Sequence, residues 1–254
     1  MQMLRGLILI LISLAPSLLL AENKNSISEQ EAAKKIRQLG GNAFLNLKTK
    51  RIKDINLNHN AQATDETMKL VARCREITDL SLENTRVGDD GMAAIEGLPK
   101  LEWLNLFQTE ITDESAPSLA TLPNLQHLPI GGTGITNAGL PKLYTLSKLQ
   151  YLGLRGTAIT DKGLTGIQQL KQLTGLHLGQ TGITDQGLPH LAELTELKKL
   201  WLHDIPITMA PLEQLLGNLK KLEHLYIQRT HLTIGEVKSL RKNFPQCEIF
   251  YEKD

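Results

Sequence analysis

Few residues in this chain are both chemically capable and suggestively placed. Histidine is a common metal ligand, so His177, His203 and His224, late in the sequence, raise zinc ligation first. Gly131-Gly132-Thr133-Gly134, with Gly139 beyond, has the look of a phosphate cradle. Arg155 has the planar fork suited to a carboxylate or another acidic group. Cys74 and Cys247 are the only cysteines. The sequence holds no His-Glu-x-x-His, no Gly-x-Ser-x-Gly, no Walker loop and no Cys-x-x-Cys, so neither catalysis nor a cofactor is expected.

What positions these residues is a repeat. Leucine occurs 48 times in 254 residues, and Leu101, Leu104 and Leu106 form an L-x-x-L-x-L string that returns every 24 residues through Leu197, Leu200 and Leu202. It extends upstream to Ile77, Leu80, Leu82 and Ile52, Ile55, Leu57, and downstream to Leu222, Leu225, Ile227, which makes eight units. Phe244, Cys247 and Ile249 read as a degenerate ninth in the same phase. Thr85, Thr109, Thr133, Thr157, Thr181 and Thr230 hold the ninth position, where a hydroxyl is expected to bond the backbone of the neighbouring turn. Thr112-Asp113, Thr136-Asn137, Thr160-Asp161 and Thr184-Asp185 then read as helix starts, with Thr as the cap and the acid beside the helix dipole. In such an array the phosphate-cradle glycines occupy ordinary repeat slots. The two cysteines stand too far apart to be bridged and read as buried free thiols.

The string L-x-x-L-x-L-x-x-T-x-I-T-D-x-G-L resembles the leucine-rich repeat, in a 24-residue bacterial form similar to secreted planctomycete proteins. The resemblance implies an α/β fold: a right-handed solenoid, horseshoe-shaped, with a parallel concave sheet and short convex helices. Residues 22–51 are expected to form an N-terminal capping helix and strand, 52–243 the eight repeats and 244–254 a C-terminal cap. Ser28 and Glu31 suggest a capping box, and Gly40-Gly41 a helix stop. For function the resemblance implies a partner-binding scaffold and no particular partner.

Positions three, five and seven of each unit flank the core leucines, so strand alternation turns them onto the concave face. Trp103, Phe107, Tyr151, Trp201 and Tyr226 fall in these slots: five of the ten aromatics in 24 of 254 positions, where even scatter would place about one. Two causes compete. Aromatics favour strands whatever their role, or they form a recognition surface, because Trp103, His127, Tyr151 and His177, Trp201, Tyr226 make rows across adjacent strands. Pro129, Gly131, Gly153, Gly175 and Gly179 between the rows predict a shallow depression with Arg155 beside it. Asp54, Asp79 and Glu83 make the N-terminal end of the same face acidic. His177, His203 and His224 occupy different columns, roughly 8 Å or more apart on standard strand spacing, which favours recognition over metal binding. The expected partner-binding set is therefore Trp103, Phe107, His127, Tyr151, Arg155, His177, Trp201, His203, His224 and Tyr226.

Arg5, the apolar stretch Leu7 to Leu20 and Ala21 read as a signal peptide over residues 1–21, implying export to the periplasm or beyond. About 14 residues broken by Pro16 fall short of the ~20 that span a bilayer, so membrane contact is expected only if that segment stays uncleaved. A net charge of +1 disfavours a nucleic-acid binder. The reading is a secreted, monomeric, non-enzymatic scaffold for a protein or peptide. A carbohydrate-binding module using the same rings is the alternative.

Overall fold

A computed structural model describes residues 27–252. The elements begin with α1 (Glu29–Gln38), β1 (Asn42–Leu45) and β2 (Ile52–Asn56), and eight three-residue strands follow from β3 (Asp79–Ser81) to β10 (Glu248–Phe250). Between them lie β4 (Trp103–Asn105), β5 (His127–Pro129), β6 (Tyr151–Gly153), β7 (Gly175–His177), β8 (Lys199–Trp201) and β9 (His224–Tyr226). All ten strands form one open sheet in chain order. Every neighbouring pair from β2 to β10 is parallel, whereas β1 runs antiparallel to β2 and ends the sheet with a reversed strand. A tight turn at residues 46–50 makes that reversal, since consecutive parallel strands need a longer crossover.

The leucine string fills the interior. Leu104, Leu128, Leu152, Leu176, Leu200 and Leu225 are wholly buried, and one apolar core runs unbroken from Ala33 in α1 to Ile249 in β10. No unit could bury this edge alone; stacking does it. The connecting segments are helical. They are α-helices in the early and late units, as at Asp65–Val71 and Met209–Asn218, but 3-10 turns in the middle, as at Leu140–Thr145 and Leu188–Leu191. Pro141 and Pro189 open those two turns, and segments this short gain little from the wider α geometry.

Three backbone devices hold the units in phase. The eighth residue of every unit has left-handed backbone, from His59 (φ 57°) to Arg229 (φ 52°), with Gly132 (φ 65°) and Gly156 (φ 67°) among them. The glycine string is therefore turn chemistry, as the repeat implied. The ninth-position hydroxyls do not reach the neighbouring turn: Thr157 Oγ1 donates to the carbonyl of Leu154 at 2.7 Å, and Thr85, Thr109, Thr133, Thr181 and Thr230 do the same three residues back. The left-handed residue folds the chain so that its own unit's carbonyl is the nearest acceptor.

Bonding between units falls to the next acid. Asp161 accepts from the backbone N–H and hydroxyl of Thr184 at 2.8 and 2.7 Å, and the same two-pronged contact joins Asp89 to Thr112, Asp113 to Thr136 and Asp185 to Thr208. Asn137 fills the slot once, accepting from Thr160 N–H and donating to its hydroxyl. The Thr hydroxyls still accept from N–H groups two residues on, at Glu114, Ala138 and Gln186. Each Thr-Asp pair thus begins a turn and ties it to the next. The ladder stops at Thr208, because Met209 follows it.

At the N-terminal end Ser28 accepts from Glu31 N–H at 3.2 Å, and Gly40 (φ 89°) ends α1. At the other end the strand register corrects the sequence phase: Ile249 lies opposite Leu225 and Phe250 opposite Tyr226. Ile249 therefore occupies the fourth position of the last unit rather than the sixth, and Phe250 the fifth. Cys74 and Cys247 are both free and buried, and burial pushes the thiols to about 12 and about 11, which leaves them inert at neutral pH. Among the described residues no helix is long and apolar enough to cross a membrane.

Candidate functional site on the concave face

Strand register sets the site. Trp103, His127 and Tyr151 are paired neighbours along one row, as are His177, Trp201, Tyr226 and Phe250 along another. Adjacent parallel strands about 4.8 Å apart bring such rings to stacking distance without further design. Trp103 and His127 stack at 4.7 Å between centroids, and His127 and Tyr151 lie 6.4 Å apart at 27°. In the second row His177 and Trp201 are 5.5 Å apart, Trp201 and Tyr226 5.1 Å, and Tyr226 and Phe250 4.5 Å, all within 7° of parallel.

The rows join where a side chain is missing. Gly175 follows Tyr151 in register, and Tyr151 turns across it to meet Trp201 edge-on at 6.1 Å. One path of rings therefore runs from Trp103 on β4 to Phe250 on β10. Phe250 was missing from the sequence-derived set because the last unit was read two positions out of phase.

The expected depression between the rows is not there. A Cβ on Gly175 would stand 2.8 Å from the Tyr151 ring, one on Gly179 2.6 Å from His203, and one on Gly131 3.0 Å from Phe107. The glycines accept neighbouring rings, and the space closes. The hollow lies instead towards the C-terminal end, about 260 Å³, lined by Arg155, His203, Tyr226, Gln228, Arg229 and Glu252. Arg155 is exposed on its rim and donates from Nε to Gln180 Oε1 at 2.8 Å.

Burial and contact fix the protonation states. His177 accepts a hydrogen bond at Nδ1 from Gly179 N–H (3.2 Å), and burial, with His203 and Arg155 nearby, brings its pKa down to about 4. Burial likewise lowers His127 and raises Tyr151. The Arg229 guanidinium bonded to Asp204 holds that carboxyl at about 2, and Asp204 also accepts from His203 Nδ1 at 2.6 Å. His177 and His203 meet edge to face at 5.0 Å, closer than strand spacing alone suggested. Their Nδ1 atoms are engaged by Gly179 and Asp204, and no group of three candidate metal ligands occurs among the described residues. His224 stands apart, stacked on Phe250 at 6.1 Å, with its buried Nδ1 lacking a hydrogen-bond partner.

The face is thus a set of rings, mostly stacked, beside a hollow with cationic and anionic groups on its rim. It offers contact area and polar edges. It assembles no nucleophile with a base.

Comparison with known proteins gives a consistent picture. A family described as leucine-rich repeat region matches residues 59–250. No curated protein matches. Among solved structures, the ectodomain of the Arabidopsis receptor kinase HAESA, crystallised with a peptide hormone ligand, superposes with a TM-score of 0.62 at 18% identity, over 89% of this chain and 42% of that one. A repeat protein of Leptospira interrogans gives 0.54 at 22% over 78% of this chain and 60% of its own, and an internalin of Listeria monocytogenes gives 0.52 at 18% over 73% and 64%. The chain spans less than two thirds of each of these relatives.

Proposed function

The chain belongs to the leucine-rich repeat family, and from that premise we propose that it is an exported, non-enzymatic scaffold that holds a protein or peptide on its concave face. The continuous path of rings from Trp103 to Phe250 carries this reading. Six strand spacings make it about 29 Å long, the reach of an extended peptide of about nine residues. Trp103, 40% exposed at the head of the path, and Arg155 at its far hollow give a partner an apolar anchor and a cationic one. The peptide-bound receptor ectodomain it resembles is consistent with this use of the fold.

Stacking also weighs against the carbohydrate alternative. A sugar ring needs an open aromatic face, whereas Trp201 is covered by His177 on one side and Tyr226 on the other. Export rests on the apolar sequence of residues 7–20, outside the described residues. Affinity capture from a cell envelope tests the reading. The intact protein should retain a partner that a Trp103→Ala, Trp201→Ala variant loses; equal retention at equal stability moves the site off this face.

A further inference from the structure

Charge is divided along the chain in a way the total of +1 conceals. Residues 27–53 hold seven basic and two acidic side chains, and residues 54–254 hold 19 basic against 24 acidic. Residues 27–53, the cap and the start of the first unit, are thus cationic by five, and residues 54–254 anionic by five.

The same cap carries the most exposed apolar cluster. Of five large hydrophobic side chains exposed among the described residues, three lie within four positions: Phe44 at 54%, Leu45 at 45% and Leu47 at 82%. They sit on β1 and the turn after it. β1 ends the sheet, only Ala43 of its residues is buried, and Asn46 and Arg51 close the turn by a backbone bond of 2.9 Å that holds Leu47 at the tip. Lys48, Lys50 and Lys53 follow at once, all exposed. Apolar side chains at a tip with a basic collar form the composition that seats a protein in the headgroup region of an anionic bilayer.

We propose that this cap docks on an anionic phospholipid surface. Phe44, Leu45 and Leu47 enter the boundary between headgroups and acyl chains, Lys48, Lys50 and Lys53 lie among the anionic headgroups, and Asp54, opposite Phe44 on β2, with Asp79 beyond it, bounds the contact on the concave side. A second copy fits the face poorly. Two caps repel each other, and the other exposed large hydrophobics, Trp103 and Ile234, lie far along the chain and offer the three no matching apolar cluster. The apolar residues 7–20 run into the same end, so the sequence that first directs the chain to a membrane also delivers this cap there. The sequence confined membrane contact to that segment; the cap adds a second contact that would outlast its removal.

Every described element and the whole core lie between residues 29 and 250, so a chain beginning at Glu22 retains the complete fold. The test floats that chain with vesicles of phosphatidylcholine containing one quarter phosphatidylglycerol. Phe44→Ser, Leu45→Ser, Leu47→Ser as one variant and Lys48→Glu, Lys50→Glu as another should each lower partitioning about tenfold or more, with unchanged melting because all five side chains are exposed. Binding should weaken in high salt and on pure phosphatidylcholine. The Trp103→Ala, Trp201→Ala variant should float like the wild type, which separates this proposal from the concave-face reading. Wild-type chain that stays at the bottom, or variants that float equally, overturns it. So does sedimentation showing wild-type dimers that the variants lose, which would make the face an interface between copies.

Discussion

The two ends of the concave face share one backbone and use it in opposite ways. At the N-terminal end the polar side chains close on the protein itself: Asn56 Oδ1 accepts from Asn58 N–H at 3.0 Å, Asn58 Oδ1 from Glu83 N–H at 2.9 Å, and Asn105 Nδ2 donates to Glu83 at 3.1 Å. At the C-terminal end rings take the same positions, and their contacts are with each other. A polar slot satisfied internally has little left for a partner, while a ring edge facing water still gains by being covered. His177 belongs to both ends. It accepts from Gly179 N–H as Asn105 does from Phe107 N–H, two residues on, and also stacks on Trp201.

The sharpest way to break this comparison is at Trp201. Truncation at a hot spot costs about 2 kcal/mol of binding or more, so Trp201→Ala should weaken a captured partner by about 30-fold by titration calorimetry, with chemical unfolding changed far less. Collapse of stability instead would make Trp201 part of the core. The scaffold beneath should be indifferent to the division. Thr109→Val and Thr157→Val lie at opposite sides of it, and each removes one buried hydroxyl bond from a carbonyl that keeps the N–H of the same residue, so both should cost about 1 kcal/mol by denaturant unfolding. Unequal losses would mean that the two ends differ in more than their surface.

A smaller effect separates the two roles of His177. His177→Asn keeps an acceptor for Gly179 and His177→Ala does not, so the first should be more stable by about 1 kcal/mol. The unfolded imidazole takes up a proton near 6.5 and the folded one near 4, so between those values the unfolded state binds more protons. Stability should therefore rise with pH from about 4 to 6.5 and level off above, and His177→Asn should flatten the slope. Smallest of all, Asn56→Ala should change partner affinity by less than about threefold, because its side chain is turned to Asn58.

The leucine string made the architecture legible, because its spacing is a core requirement repeated in every unit and a phase error in one is corrected by its neighbours. The ring rows were legible for the same reason: Trp103, His127 and Tyr151 inherit their register from Leu104, Leu128 and Leu152. Phe250 was not, since no following unit fixes the phase of Phe244, Cys247 and Ile249. The closed depression was not legible either. Gly175 in a sequence says that a side chain is missing and leaves open that Tyr151 turns across the gap. Nor did the Thr-Asp pairs reveal that the acid reaches forward to the next unit, because cap and ladder ask for the same residues.

That ladder makes the middle of the array a cassette. From Asp89 to Thr208 each unit offers the next a side-chain acceptor, Asp everywhere but at Asn137, and gives the last the N–H of a threonine, so duplicating a whole 24-residue unit within that stretch leaves every junction with the same Thr-to-Asp or Thr-to-Asn pairing. Such a gene could lengthen or shorten by unequal recombination without passing through an unfolded protein, and each event would slide the Phe250 end of the ring path about 4.8 Å further from or nearer to Trp103. Beyond Thr208 that freedom ends. Met209 offers a following unit no carboxylate, and a copy spliced there would begin with its threonine unclaimed.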